Sequence, residues 1–262
     1  MKSILIPLCG SFAIHSFGLA ILCGLGVFAW CIYRDKRTKN YISSAALSDM
    51  ILVGVVAALF GGRVLAILGD PEARSESVWE WLQLWDGGIS SLGCIIGVLV
   101  ALPCYFYYRA IPMVPVLDLI AVYAPIIHIF VRIGCFLAGC CFGAPTQAAW
   151  GIIYHDQDGL APCGIPLHPT QLYSMIALCI IFALMLWIRK ANPRPGVLTG
   201  GYLFLINAER FAVDFFRGDR EFIMHPYVQM LSLHQWLSLG LMFCGILVLV
   251  TVYTKRVMFK RL

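Results

Sequence analysis

Seven long apolar runs constrain this chain more than any other feature of its sequence. They cover about residues 11–33, 46–69, 88–110, 113–137, 170–188, 199–216 and 233–254. Each is close to the ~20 residues that a helix needs to cross the hydrocarbon core of a bilayer. Because no water is available there to bond the backbone, such segments must be helical. The sequence therefore predicts an all-α integral membrane protein, a seven-transmembrane-helix bundle that forms a single domain over residues 1–262.

Composition and loop charge give the orientation of this bundle. The chain is 60% hydrophobic and 13% charged, whereas soluble domains carry about a quarter charged residues. Twelve Lys and Arg residues fall in the odd-numbered gaps and the C-terminal tail, against four on the other side. Basic loops stay inside, so we expect the N-terminus outside and the C-terminus in the cytoplasm. The net charge of +5 matches loops beside anionic lipid and requires no nucleic-acid partner.

Three arginines, Arg63, Arg132 and Arg210, lie inside apolar runs. An ionisable residue within the membrane is costly and by default indicates a functional site. Helical spacing predicts a polar stripe on the fourth helix and one polar face on the sixth. The first consists of Asp118, Pro125, His128 and Arg132, and the second of Arg210, Asp214 and Arg217.

Two interpretations of the buried arginines remain open. They could be internal ion pairs with Asp214, Glu209 or Asp118. Alternatively, Arg132, Arg210 and Arg217 together exceed the nearby acids, which favours an anionic ligand. The planar fork of arginine suits phosphate, and the anion at hand in a membrane is a phospholipid headgroup.

The segment DGGISSLGCIIG, residues 86–97, precedes and opens the third helix. Backbone N–H groups of Gly87 and Gly88 could bind a phosphate at the helix N-terminus. Gly93 and Gly97 are spaced like residues that let membrane helices approach closely. Asp86 could cap this helix or contribute to the site.

The outer loop between the fourth and fifth helices, about residues 138–169, contains Cys140, Cys141 and Cys163. A disulfide from Cys163 to Cys140 or Cys141 and simple packing of the thiols both remain open. The loop has no CxxC or HxxxH spacing, so its sequence predicts no metal site. At the end of the loop, His168 could be a general base, a phosphate ligand or a loop anchor.

Several motifs together resemble the prolipoprotein diacylglyceryl transferase family. They are HSFGLAI, DGGISSLGCIIG, RIGCFLAGCCFGAPT, LHPTQLY and GYLFLINAERFAVDFFRGDRE. The resemblance covers nearly the whole chain. It implies a bacterial inner-membrane transferase that attaches the diacylglyceryl group of phosphatidylglycerol to the lipobox cysteine thiol of a prolipoprotein and releases glycerol phosphate. It implies no cofactor.

The resemblance also implies roles for individual residues. Arg132 and Arg210 correspond to the two essential arginines and would contact the phosphate. Asp214 stands where the family has glutamate, and we expect it to orient an arginine. Arg217 matches the last arginine of its motif, and Gly143 matches the glycine that closes the RIG motif. Counting His168, the expected catalytic residues are Arg132, Arg210, Asp214 and His168. The expected substrate-binding residues are Arg132, Arg210, Arg217, Gly87, Gly88, Gly143, Asp86 and Cys135.

The sequence departs from the family at four positions where hydrogen-bonding or proton-handling groups are usual. Leu92 replaces a histidine proposed as the base, and Cys135 replaces an asparagine. Phe17 and Ile206 replace tyrosines. Another base is therefore needed, with Asp86, His168, Cys135 and Asp214 as candidates. A related transferase with a different acceptor and a non-catalytic protein that binds anionic phospholipid are the alternative functions.

Overall fold

The structure is a computed structural model that describes residues 4–7, 13–69, 90–155, 161–218, 220 and 231–259. Over these residues the backbone forms eight α-helices and four short strands. The helices are α1 (Ser16–Arg34), α2 (Thr38–Tyr41), α3 (Ser44–Gly69), α4 (Ser91–Tyr108), α5 (Met113–Ala138), α6 (Thr170–Lys190), α7 (Val197–Asp214) and α8 (Leu233–Phe259). The strands are β1 (Ile4–Pro7), β2 (Ala13–His15), β3 (Ile152–Ile153) and β4 (Pro166–Leu167).

A helix lies at each of the seven predicted positions. Five of them are long and apolar enough to cross a membrane, over residues 16–34, 44–69, 113–138, 170–190 and 233–254. The protein is therefore an all-α, multi-pass membrane protein. Helix α1 begins later than expected, because the preceding backbone pairs as antiparallel strands in which Pro7 faces Ala13. Helix α7 ends at Asp214, two residues earlier than the apolar run.

The chain divides into two compact units, and the smaller one covers residues 33–116. Within it, α3 and α4 approach so closely that side chains are excluded at their glycines. A Cβ atom on Gly93 would lie 2.3 Å from the carbonyl oxygen of Gly61, and one on Gly97 would lie 2.2 Å from that of Ala57. This supports the packing interpretation of Gly93 and Gly97.

The start of α4 is capped by Ser90, whose Oγ accepts a hydrogen bond from the Gly93 N–H at 3.4 Å. Ser90 thus takes the capping role considered for Asp86. Asp86, Gly87 and Gly88 themselves lie outside the described residues, so their expected contacts with substrate stay predictions.

The larger unit consists of residues 1–32 and 117–262 and contains most of α1 and α5 together with α6, α7 and α8. Polar contacts join α5 to α7 within this unit. Asp118 accepts hydrogen bonds from the N–H of Gly196 at 2.7 Å and from the N–H and hydroxyl of Thr199 at 2.8 and 2.6 Å. These bonds cap the N-terminus of α7. His128 Nε2 lies 3.0 Å from the Tyr202 hydroxyl. The polar stripe predicted on the helix of the fourth apolar run, which is α5, is therefore directed at α7.

Candidate functional site

Three loop segments of the larger unit meet where α5 ends, α6 begins and α7 ends. Gly143 N–H donates to the His168 carbonyl at 3.0 Å, and His168 N–H donates to Ala144 at 3.0 Å. Ala144 N–H donates in turn to the Phe216 carbonyl at 2.8 Å, and Gly143 pairs with Arg217 in an antiparallel bridge. These bonds bring the ends of three helices to one place.

Gly143 is a glycine because the backbones at this junction leave no room for a side chain. A Cβ atom there would lie 2.3 Å from the His168 carbonyl oxygen and 2.5 Å from the His168 Cβ. The Gly143 N–H is already bonded to the same carbonyl. The residue therefore joins two segments of the site through its backbone.

Arg132, Arg210 and Arg217 form a positive cluster at this junction. Arg132 lies in the last two turns of α5 and Arg210 in the last two turns of α7. The positive charges of Arg217 and Arg132 both act on Arg210. Within the part of the chain that the structure describes, the guanidinium groups of Arg132 and Arg210 have no hydrogen bond or ion pair. Arg132 and Arg210 are half-buried, and holding two such cations without an ion-pair partner among the described residues is costly unless an anion is bound.

The sequence-based placement of Arg217 on one helix face with Arg210 is wrong. Helix α7 ends at Asp214, and Arg217 follows it in the bridge to Gly143. Beyond Asp214 the backbone turns, with the Phe216 N–H donating to Val213 and the Arg217 N–H to Asp214. The loop that follows is bonded to the segment after α5 through the N–H groups of Ala144 and Gly218. Arg217 therefore reaches the cluster through backbone pairing between two loops.

Asp214 is fully buried beneath this cluster. Its carboxylate accepts a hydrogen bond from the Ser232 hydroxyl and forms an ion pair with Arg220 at 3.7 Å from Nε. Its negative charge also acts on Arg210. Arg220 is held in addition by Gln235 Oε1, which accepts from its Nη2 at 2.9 Å. The pairing of Asp214 with Arg220 was not predicted, because Arg220 lies in a loop with no periodic pattern.

The His168 side chain is held by an aromatic group. Its Nδ1 lies 3.1 Å from the Tyr173 hydroxyl, which also accepts a hydrogen bond from Trp150 Nε1 at 2.8 Å. The ring packs edge-on against Phe216, with centroids 5.4 Å apart. Sequence reasoning missed Tyr173 as a partner of His168, although both belong to the motif HPTQLY. The arrangement fixes the orientation of the imidazole.

Cys135, Cys140 and Cys141 bring three thiols together, with all sulfur atoms within 4.8 Å of one another. Hydrogen bonds from the Cys135 and Cys140 thiols, together with the charges of Arg217 and Arg132, hold the pKa of Cys141 well below its ordinary value despite burial. The same thiol contacts and burial raise the pKa of Cys140. Cys163 is exposed, and no disulfide joins it to Cys140 or Cys141.

The other departures from the expected motifs are apolar. Leu92 is 51% exposed on α4, within the smaller unit. Phe17 on α1 packs against Gly134 of α5, where a Cβ atom would lie 2.9 Å from the Phe17 ring. Glycine at position 134 thus makes room for the Phe17 ring beside the RIG motif.

These features define a class: a multi-pass membrane protein with an arginine cluster and a thiol cluster at the ends of two helices. Comparison with known sequences makes the class specific. A family described as prolipoprotein diacylglyceryl transferase matches residues 3–251. The chain belongs to the prolipoprotein diacylglyceryl transferase family.

Individual relatives agree with this assignment. The chain is 32% identical over 249 residues to the phosphatidylglycerol–prolipoprotein diacylglyceryl transferase of Clostridium tetani, which covers 95% of this chain and 96% of the relative. It is 31% identical over 248 residues to the enzyme of that name from Nitrosomonas europaea, covering 93% and 87%. A relative from Clostridium perfringens, whose name ends in transferase 2, is 29% identical over 235 residues and covers 89% of each chain.

Proposed function

We propose that this protein transfers the diacylglyceryl group of phosphatidylglycerol to the lipobox cysteine thiol of prolipoproteins and releases glycerol phosphate. The observation that carries the proposal is the pair of guanidinium groups, Arg132 and Arg210, with no carboxylate partner in the described residues. Asp118, which was a candidate partner, is occupied by the cap of α7. Asp214 is bonded to Ser232 and Arg220.

The chemistry of the reaction accounts for this cluster. The acceptor thiolate attacks the glycerol carbon that bears the phosphate ester, the C–S bond forms, and the C–O bond breaks. Its electrons pass to the phosphate oxygen, so negative charge concentrates on the leaving group. Positioned cations stabilise this developing charge without having to reorganise. Arg132 and Arg210 would bind the phosphate, and Asp214 would orient Arg210 by the attraction between their charges.

His168 would accept the proton of the acceptor thiol. Only the thiolate is a good nucleophile, and Leu92 has no group that can take a proton. The Tyr173 contact and the Phe216 ring hold the His168 imidazole in one orientation, as a base that must face its substrate requires.

The proposed topology follows from the distribution of loop charge. All seven apolar helices would cross the bacterial inner membrane, with the N-terminus outside and the C-terminus in the cytoplasm. The arginine and thiol clusters would then lie near the outer surface. Phosphatidylglycerol and the signal-peptide end of a prolipoprotein are both available at that surface.

A second candidate is a related transferase with a different acceptor. It is favoured by the exposed, apolar Leu92 at a position where the resembled family has a proton acceptor.

The purified protein should therefore be incubated with phosphatidylglycerol labelled in both its glycerol headgroup and its acyl chains, together with a lipobox peptide. Arg132→Ala is the inactive control.

The two labels separate the outcomes. Lipidated peptide and released glycerol phosphate, both absent with Arg132→Ala, support the proposed reaction. Release of glycerol phosphate without lipidated peptide supports a different acceptor. Bound lipid with neither product would identify a non-catalytic phospholipid-binding protein and refute both transferase functions.

A further inference from the structure

Three cysteine side chains converge at the end of α5. Cys135 lies in the last turn of the helix and is 4% exposed. Cys140 and Cys141 follow Gly139, whose positive φ of 68° ends the helix. All three sulfur atoms lie within 4.8 Å of one another. Thiols that only fill space in a core do not have to lie next to one another. The close approach of these three therefore indicates a shared role.

The backbone holds the two loop cysteines in place. The Cys140 N–H donates to the Cys135 carbonyl at 3.0 Å. The Cys140 carbonyl accepts from Gln171 Nε2 and the Cys141 carbonyl from Thr170 Oγ1, each at 2.7 Å. Cys141 also adopts a φ of +57°, a left-handed conformation that costs a non-glycine residue about 1 kcal/mol or more. The fold therefore sustains local strain at the residue that completes the thiol cluster.

Three sulfur ligands at this spacing suit a metal ion that prefers thiolates. Zinc–sulfur bonds of about 2.3 Å in a tetrahedron place the sulfurs about 3.8 Å apart. Sulfurs already within 4.8 Å of one another need to move only about 1 Å or less to reach that geometry. Thiolates select zinc-like or softer ions over magnesium or calcium. Three protein ligands leave the fourth position open, as in catalytic rather than structural zinc sites.

The surrounding charges are compatible with such a centre. Three thiolates and one divalent cation carry a net charge of −1, and an added thiolate makes it −2. Arg132 lies one turn before Cys135 on α5, and Arg217 is bridged through its backbone to Gly143, which follows Cys141 closely in the chain. The arginines would therefore offset the charge of the centre as well as that of the phosphate.

We propose that Cys135, Cys140 and Cys141 bind one zinc-type ion, and that its open position binds the thiol of the acceptor. This inference rests on the proposed function. Coordination deprotonates a thiol, so the S–H proton passes to His168 and the sulfur remains bound as a thiolate. Its lone pair then forms the C–S bond as the C–O bond of the lipid breaks. The neutral thioether product is a weak ligand and dissociates.

This role also accounts for Leu92. A bound metal ion makes the acceptor thiol acidic enough for a modest base, so no histidine is required at position 92. One of the three thiols, Cys135, itself stands where the family pattern leads one to expect asparagine. The missing histidine at position 92 and the presence of the three thiols would then be two parts of one change in how the acceptor thiol is activated.

The first test measures metal binding without turnover. The full chain, reduced and reconstituted in phosphatidylcholine nanodiscs, is titrated with Co²⁺ and Cd²⁺, and sulfur-to-metal charge-transfer absorbance is recorded. We expect one ion per chain and loss of the band in Cys135→Ser, Cys140→Ser and Cys141→Ser. Cys163→Ser, which changes an exposed cysteine outside the cluster, should keep it. Thermal melting and phosphatidylglycerol binding establish that each serine variant is folded.

Three results of this titration would overturn the proposal. One is the absence of a band in reduced, folded protein. Another is a disulfide between two of the three cysteines in protein purified without reductant. It would lower the mass by two hydrogens and persist when metal is added. The third is loss of the band in Cys163→Ser to the same degree as in the cluster variants.

The second test examines the open position and the reaction separately. A lipobox peptide should shift the Co²⁺ spectrum, and the same peptide with serine in place of cysteine should not. Chelation should abolish lipidation, and Zn²⁺ should restore it. Full lipidation by chelated protein would overturn the metal proposal and leave the proposed function intact. A band and a peptide shift without lipidation would support the metal site and refute the proposed function.

Discussion

The backbone of Arg217 pairs with that of Gly143 in an antiparallel bridge. This contact ties the segment after α7 to the segment after α5. The segment after α7 carries Arg217 of the positive cluster, and the segment after α5 carries Cys140 and Cys141 of the thiol cluster. The geometry of the site therefore depends on loop pairing as well as on helix packing.

Replacing Arg132 or Arg210, which have no carboxylate partner among the described residues, should strongly reduce turnover. Arg132→Ala or Arg210→Ala removes a cation from the position where charge develops on the leaving phosphate. By comparison with loss of one oxyanion-stabilising donor, the rate should fall by about 10²- to 10³-fold or more. Release of labelled glycerol phosphate measures it. Arg109→Ala is the matched control, because Arg109 lies in an exposed ion pair with Asp49 at 3.7 Å, outside the arginine cluster. Activity near the parent rate in Arg132→Ala would show that the arginine is not part of the phosphate site.

A single methyl group at Gly143 should disturb both stability and activity. The Cβ of Gly143→Ala would lie 2.3 Å from the His168 carbonyl oxygen, so the two segments must separate. Overpacking of this kind costs about 1–3 kcal/mol. Thermal unfolding in detergent should show a lower midpoint. Gly201→Ala on α7 is the control, because a Cβ there meets nothing within 4 Å. Equal midpoints for the two variants would contradict the close packing at the junction.

The helices could be predicted from the sequence because their signal is local. Each apolar run contains a helix, and the polar stripe through Asp118 and His128 is directed at α7. The ends of helices are a different matter. Helix α7 stops at Asp214, and the backbone beyond it bonds to the segment after α5, a tertiary pairing that hydropathy does not encode.

The thiol cluster could not be predicted for a related reason. Cys135, Cys140 and Cys141 match no short ligand motif. They meet because the helix ends at Gly139 and Cys141 turns into a left-handed conformation. Likewise, the partner of Asp214 is Arg220, which lies beyond the helix and outside any periodic pattern. Contacts made by loop conformation depend on tertiary hydrogen bonds that spacing alone does not reveal.

Asp118 should contribute to stability and not to chemistry. Its carboxylate caps α7 through Gly196 and Thr199, and loss of such a cap costs about 0.5–2 kcal/mol. Asp118→Ala should lower the unfolding midpoint and keep the rate per folded molecule. Asp49→Ala is the control, because its exposed ion pair with Arg109 is worth about 0–1 kcal/mol. A selective loss of turnover in well-folded Asp118→Ala would instead place Asp118 in the reaction.

Tyr173 should act on the reaction through His168. Its hydroxyl lies 3.1 Å from His168 Nδ1 and accepts from Trp150 at 2.8 Å, so Tyr173→Phe leaves the imidazole in its pocket without the bond that orients it. General acid–base groups contribute about 10²- to 10⁴-fold. We expect His168→Gln to lower kcat by about 10²-fold or more and Tyr173→Phe to lower it less, with little change in KM for the lipid.

The double variant distinguishes positioning from mere packing. If Tyr173 works by orienting His168, adding Tyr173→Phe to His168→Gln should cost almost nothing further, because the two changes remove one function. Tyr107→Phe, at a position 92% exposed, is the control and should leave kcat unchanged. Fully additive losses, or a change in KM alone, would mean that the Tyr173 hydroxyl supports the loop rather than the proton acceptor. His168 would then be placed by the Phe216 ring and by its backbone bonds to Gly143 and Ala144.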